Sequence, residues 1–313
     1  MILRKFEYLR PTNLEEALEL YSKFEDRAIY LSGGTDLVPR MKLGLEKPEA
    51  VIDLKAIDSL KTIEDQGDWV KIGSLVSLFG LRQDKLVADN FPALRASLEA
   101  TSCETLQMRG TIGGNLLQNS RCLFYNQSEF WRKSKGSCFK MGGDRCNAVP
   151  GAKRCFANYC SDNATSLLTL SCELEFSGPD GTKRIALDEL YTGASGKPFK
   201  IQSGEILTSV FVKKRKSRGG YEKLRLRGSI DYPLVGIAFS VVDGAGKLAV
   251  GAIGPRPKAL DLDQSSQTSV REAVKIILKD LSPVNNTVVD AAYRRQMVPI
   301  LAKRLVKKTV EGA

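Results

Sequence analysis

The chain has 313 residues, 42% hydrophobic and 27% charged, with a formal net charge of +11 and no histidine. Those proportions belong to a folded globular chain, and no apolar run reaches the roughly 18 residues of a membrane span. Without histidine, Ser-His-Asp and Cys-His catalysis, histidine-ligated zinc and histidine proton shuttles are excluded, so demanding chemistry points to a bound cofactor.

Thr12 with Glu15 reads as a capping box. It opens a first helix whose apolar stripe is Leu14, Ala17, Leu18 and Tyr21. A short strand at 28–31 runs into Ser32-Gly33-Gly34-Thr35-Asp36, and AVIDL at 50–54 is a second buried strand. The chain therefore opens as a small α/β unit. A strand is expected at 69–73 and helices at 77–83, 91–100 and 104–108, followed by a second Gly-Gly turn in TIGGNL at 111–116.

Asp162 and Asn163 are expected to cap a helix at 164–170. Strands follow at 172–176 and 206–212, the first ending at the turn Gly178-Pro179-Asp180-Gly181. From Gly219 the pattern changes. Strands are expected at 221–226, 235–242 and 247–253, with Asp243-Gly244-Ala245-Gly246 as a hairpin turn. Beyond Pro255 and Pro257 only helices are expected, at 270–281 and 288–308. The charge run KKRKSR at 213–218 and the paired glycines after it mark a domain boundary.

Between the second glycine turn and the 164–170 helix lies a 42-residue stretch, 119–160, with almost no apolar periodicity. A loop of that length is uncommon in a compact domain unless something holds it or it has a task. It carries Cys122, Cys138, Cys146 and Cys155 in the spacing C-x15-C-x7-C-x8-C. Four thiolates around one ion or cluster would hold it. Zinc suits four thiolates by ligand type, but the closely paired cysteine knuckles of zinc sites are missing, and so is the C-x2-C spacing of ferredoxins.

The stretch has eight Lys/Arg against two acids, which suits either an anionic centre, a docking face for an acidic carrier or a solvated loop. Cys103, Cys160 and Cys172 read as buried packing. The opening MILRKFEYLRPT has no export signal, so a cytoplasmic location without structural disulfides is the expectation. Nucleic-acid motifs do not accompany the positive charge, and no nucleic-acid or membrane partner is expected.

Each Gly-Gly turn lets backbone approach a ligand closely, and successive free N–H groups make an anion nest. Neither turn is G-x-G-x-x-G or a Walker loop. Two such nests could hold the two halves of a pyrophosphate.

Five motifs in order, LSGGTDLVPRMK (31–42), RGTIGGNLL (109–117), SDNATSLLTLSCEL (161–174), GEILTSV (204–210) and YEKLRLRGSIDYPLVGIAF (221–239), resemble those of the FAD-binding medium subunit of molybdenum hydroxylases, the xanthine dehydrogenase family. The resemblance implies an α+β fold: a two-part FAD-binding domain of the vanillyl-alcohol-oxidase (PCMH) type, followed by a C-terminal antiparallel sheet with helices of the CO dehydrogenase flavoprotein type. The implied domain boundaries are 1–216 and 217–313. Within the first, residues 1–56 form a small α/β subdomain and residues 57–216 a larger one that carries the inserted loop 119–160.

It also implies a first pyrophosphate loop of Ser32, Gly33, Gly34, Thr35, Asp36 and Leu37 and a second of Thr111, Gly113, Gly114 and Asn115. Asp162 is implied on the ribose or adenine side, Leu207 near the adenine or flavin, and Lys223 near the flavin ring. In most relatives TIGGN runs almost directly into the SDxxxxLL helix. The insertion resembles that of the 4-hydroxybenzoyl-CoA reductase branch, which implies a [4Fe–4S] cluster on Cys122, Cys138, Cys146 and Cys155.

The implied function is electron transfer between a ferredoxin-like carrier and partner subunits, a molybdenum-cofactor large subunit and a [2Fe–2S] small subunit, in a dimer of heterotrimers. The rival expectation is a xanthine- or aldehyde-type hydroxylase subunit passing electrons outward to NAD or ferredoxin. A zinc-stabilised nucleic-acid-binding protein is the third and most distant reading.

Overall fold

The computed structural model describes residues 3–262 and 267–311. The chain begins with β1 (Glu7–Leu9), α1 (Leu14–Phe24), β2 (Ala28–Leu31), α2 (Leu37–Lys42) and β3 (Ala50–Asp53). Their strands form a parallel sheet in the order β1-β3-β2. Every residue of the central strand is buried, which is why Ala-Val-Ile reads as a continuous apolar run rather than an alternation before the strand ends at Asp53. The cap of α1 is Asn13, not Thr12: its side chain accepts the Glu16 amide at 2.9 Å, while the Glu16 carboxylate reaches back to the Thr12 amide at 2.7 Å. The expected box is displaced by one residue because asparagine is the stronger N-cap.

A second, antiparallel sheet combines β4 (Ile63–Gln66), β5 (Trp69–Gly73), β6 (Cys172–Gly178), β7 (Gly181–Ala186) and β8 (Ile206–Lys213) in the order β4-β5-β8-β6-β7. Between β5 and β6 run α3 (Leu78–Gln83), α4 (Lys85–Asn90), α5 (Pro92–Ala100), α6 (Glu104–Gln107), α7 (Ile112–Leu116), α8 (Glu129–Lys135) and α9 (Asp162–Leu167). α8 lies inside the cysteine stretch, where the sequence shows no helical periodicity.

The third sheet, β9 (Ser217–Leu224), β10 (Val235–Val242), β11 (Ala245–Gly251) and β12 (Lys258–Leu262), is antiparallel in the order β12-β11-β10-β9 and carries α10 (Gln267–Asp280) and α11 (Ala291–Glu311). β12 corrects the expectation that only helices follow Pro257. It is a five-residue edge strand and buries too little to show a pattern. β10 is buried on both faces. Val235, Ile237, Phe239 and Val241 pack towards α10 and α11, and Ala238 towards the core that holds α5 and α9. Pro299 inside α11 costs about 3 kcal/mol. Burial of Val298, Leu301, Leu305 and Val306, at about 1.5–3 kcal/mol each, outweighs it. Among the described residues no helix is long and apolar enough to cross a membrane.

Candidate cofactor site

Connections from all three sheets enclose a cavity of about 400 Å³, within the range of small-molecule sites. Ser32, Gly33, Gly34, Thr35, Asp36, Leu37, Thr111, Gly113, Gly114, Asn115, Asp162 and Leu207 all line it, although they come from distant segments of the chain.

The two glycine loops lie against each other. A Cβ at Gly33 would stand 1.8 Å from the carbonyl oxygen of Arg109, so only glycine permits the contact. Gly34 has φ +74°, the left-handed region glycine enters without strain. The amides of Val38 and Arg40 turn back to Gly34 and Asp36 as α2 begins. The amides of Gly33, Gly34, Thr35, Asp36 and Leu37 meet no acceptor among the described residues, and such a row of free donors is an anion nest.

The second loop is built differently. The amides of Ile112 and Gly113 donate to Val76 and Ser74 at 3.0 and 2.9 Å, and those of Gly114 and Asn115 to the hydroxyl and carbonyl of Thr111 at 3.1 and 2.9 Å. The expectation of two equivalent nests is therefore corrected: Thr111, the N-cap of α7, takes two of the donors, and Val76 and Ser74 take the other two. What this loop presents is its side chains. The Asn115 amide oxygen accepts from Ser161 at 2.6 Å and Asn163 at 3.0 Å, which fixes its orientation.

Behind the nest, the Lys55 ammonium donates to the Ser32 carbonyl at 3.2 Å and pairs with Asp53 at 2.7 Å; Tyr8 donates to the same carboxylate. Asp53 is 1% exposed. Burial pushes its carboxyl up, but hydrogen bonds from Lys55 and Tyr8 outweigh that and hold it below the ordinary value. In front, Asp36 pairs with Arg121, whose guanidinium sits 3.8 Å from the ring centre of Tyr232 on the cavity wall.

Two further lining residues carry orphaned atoms: Arg40 Nη1 and Gln107 Oε1 are buried without a partner. A buried donor and a buried acceptor left open in one cavity fit a ligand that offers both, as the phosphates and ring N–H groups of FAD do. Arg40, Gln107 and Tyr232 are functional candidates that sequence reasoning missed, whereas Arg121 is expected from the sequence only as a basic residue beside the four cysteines and not on this cavity. Arg40 at least sits inside the LVPRMK run after the first loop.

Asp162 is not the cap of its helix. Ser161 is, accepting the Ala164 amide at 3.1 Å. Asp162 accepts from Tyr221 at 2.6 Å and Lys223 at 3.1 Å, and desolvation raises its pKa despite the nearby ammonium. Lys223 is absent from the cavity wall. Two residues apart on β9, Tyr221 and Lys223 share a face, and that face points at α9.

The inserted stretch is pinned at several points. Arg121 and Asn158 exchange backbone hydrogen bonds at 2.6 and 2.7 Å and close its two ends. Asn286 binds the Phe156 carbonyl, the Asn158 side chain and the Leu123 amide. Arg132 holds the carbonyls of Leu43 and Gly44 at 3.1 Å.

Inside it, Cys122, Cys138, Cys146 and Cys155 line one cavity of about 20 Å³ together with Tyr125 and Lys140. Among the described residues no three metal-binding side chains converge closely enough to grip a single ion. Burial pushes the Cys122 thiol up to about 11. Cys160 and Cys172 are buried as expected, Cys160 also lining the large cavity. Cys103 is not core: it is half-exposed before α6, with its sulfur 3.3 Å from the Thr105 hydroxyl.

The family model of the FAD binding domain in molybdopterin dehydrogenase matches residues 4–213. The carbon monoxide dehydrogenase medium chain of Afipia carboxidovorans is 25% identical, over 98% of each chain. The aldehyde oxidoreductase FAD-binding subunit of Escherichia coli is 28% identical, over 87% of this chain and 89% of the relative. The fold superposes on a chain of the Cu,Mo-CO dehydrogenase crystal structure with a TM-score of 0.80, at 24% identity and full coverage of both chains.

The family match thus defines a FAD-binding flavoprotein of the oxidoreductase class. The chain belongs to the FAD-binding domain family of molybdopterin dehydrogenases, and within it is a medium subunit of the molybdenum hydroxylase type.

Proposed function

We propose that this chain is the FAD- and [4Fe–4S]-carrying medium subunit of a molybdenum enzyme resembling 4-hydroxybenzoyl-CoA reductase. The supporting observation is that four thiols widely spaced in sequence line one small cavity. Four thiolates suit a single zinc or a thiolate-ligated cluster by ligand type, and the resemblance of the insertion to that of the 4-hydroxybenzoyl-CoA reductase branch favours the cluster. FAD would be held by the amide nest of 33–37, with Arg40, Gln107 and Asn115 as polar contacts and Leu207 on the apolar wall. The two cofactors would supply electron transfer between an external ferredoxin-like carrier and the molybdenum and [2Fe–2S] centres of partner subunits, for reductive dehydroxylation. The partners would be a large and a small subunit, in a doubled heterotrimer.

A second reading, a subunit of an oxidative hydroxylase, is favoured by the names of the relatives, among them the nicotine 6-hydroxylase medium subunit of Paenarthrobacter nicotinovorans at 26% identity. Anaerobic purification decides the cofactors: the protein should carry flavin and about four iron atoms per chain, as a cluster of that type requires. Iron retained in full by C122S, or a flavin-free protein, counts against the proposal. Turnover of the complex with 4-hydroxybenzoyl-CoA, against xanthine or aldehydes, separates the two readings.

A further inference from the structure

Lys140 stands between the two cavities. It lines the thiol cavity, and its ammonium donates to Asn119 Oδ1 and Ser120 Oγ at 2.7 Å and to the Ser195 carbonyl at 3.0 Å. Asn119 in turn lines the large cavity. The ring of Tyr125, also on the wall of the thiol cavity, has the Lys140 ammonium 5.4 Å from its centre and the Arg40 guanidinium 5.8 Å from it. Arg40 opens onto the large cavity with Nη1 unpartnered, and its one carboxylate contact, Glu46, is used up in that ion pair. All three hydrogen-bond partners of Lys140 are neutral; Glu46 and the sulfurs of Cys138 and Cys155 attract its ammonium through space, and Arg40 repels it. A buried cation whose direct partners are all neutral is stabilised by negative charge in the adjoining space.

We propose that Lys140, with Tyr125 and Arg40, forms a cationic partition that favours the reduced state of the centre held by the four thiols and transmits its charge to the flavin cavity through Asn119. The inference rests on the cofactor reading above. Four thiolates with a cluster core carry net negative charge, and each added electron increases it. A fixed cation at hydrogen-bonding range of the intervening wall stabilises the more negative state and raises the reduction potential. Lys140 is a positioning and charge-tuning residue and touches no reacting atom.

The test is an anaerobic dithionite titration of the full-length protein with mediator dyes, followed by electron paramagnetic resonance and flavin absorbance. Each electron given up by dithionite is taken up by the iron–sulfur centre or the flavin, so both midpoints are read in one experiment. K140Q should lower the midpoint of the iron–sulfur centre by at least the equivalent of a tenfold change in its reduced-to-oxidised ratio, about 59 mV for one electron. K140R should restore most of that shift. N119D places a carboxylate against the ammonium from the flavin side without touching the cage, and should shift the midpoint in the same direction. Full iron and flavin with unchanged midpoints in K140Q overturns the proposal. If K140Q loses iron, an unchanged midpoint in N119D overturns it instead. Wild-type protein lacking iron refutes the cofactor reading, a different result from either.

Discussion

Lys223 stands behind Asp162 on the wall of the large cavity: its ammonium lies 3.1 Å from that carboxylate, and the two side chains are 3% and 5% exposed. Removing one member of such a buried pair strands the other, at a cost of about 3–5 kcal/mol. K223M should therefore destabilise the protein by that amount in chemical denaturation. The double variant K223M/D162N should be less damaged than the sum of its single changes. Additive losses would show that the pair is not coupled.

Gly33 is where the two loops touch, and G33A must push them apart. Overpacking of this kind costs about 1–3 kcal/mol. The larger expected effect is on flavin content, because the nest is displaced. G228A is the control: a Cβ there meets nothing within 4 Å. Equal flavin retention in the two variants would mean that loop contact does not govern binding.

Arg294 is fully buried and donates to five acceptors: the carbonyls of Leu234, Ala252 and Val284, the Asn286 side chain and the Thr287 hydroxyl. R294M leaves them unpaired, at a cost of about 3 kcal/mol or more. Because Asn286 also clamps both ends of the cysteine stretch, limited proteolysis should cut between 122 and 158 faster in R294M than in wild type. A stability loss with no change in cutting would separate Arg294 from the insertion.

Asp53 gives a pH signature. Its folded-state pKa lies below the unfolded one, so its contribution is present above the unfolded value and is lost as pH falls through the folded value. In D53N that component of the acid dependence disappears, and the urea midpoint of the variant should fall less steeply than wild type below about pH 4, the ordinary carboxylate range. The variant should also hold flavin less tightly, since Lys55 loses the partner that aims it at Ser32. Parallel acid limbs would contradict this.

Much of the site was legible because its signals are local. Ser32-Gly33-Gly34-Thr35 and Thr111-Ile112-Gly113-Gly114 declare backbone turns wherever they fall, and their spacing around buried strands placed both loops. The continuous run of β10 and the short glycine-containing turn after it announced a buried hairpin. What failed was also physical. The edge strands β7 and β12 bury little and leave no periodicity. Asn13 displaces the weaker cap Thr12, but Ser161 and Asp162 are equally good caps, and only the geometry of the chain entering the helix chooses between them.

Residue type and order determined by themselves that the chain has two glycine loops, four clustered thiols and no histidine chemistry. Only the tertiary structure decided that one loop keeps its amides free while the other spends them on Val76, Ser74 and Thr111. It alone set Lys223 behind Asp162, paired Asp36 with Arg121 across 85 residues of chain, and stood Lys140 between two cavities. The reason is that a hydrogen bond or ion pair belongs to two groups at once. Sequence specifies each group, but whether a donor is satisfied depends on which distant partner the packed core brings within about 3 Å.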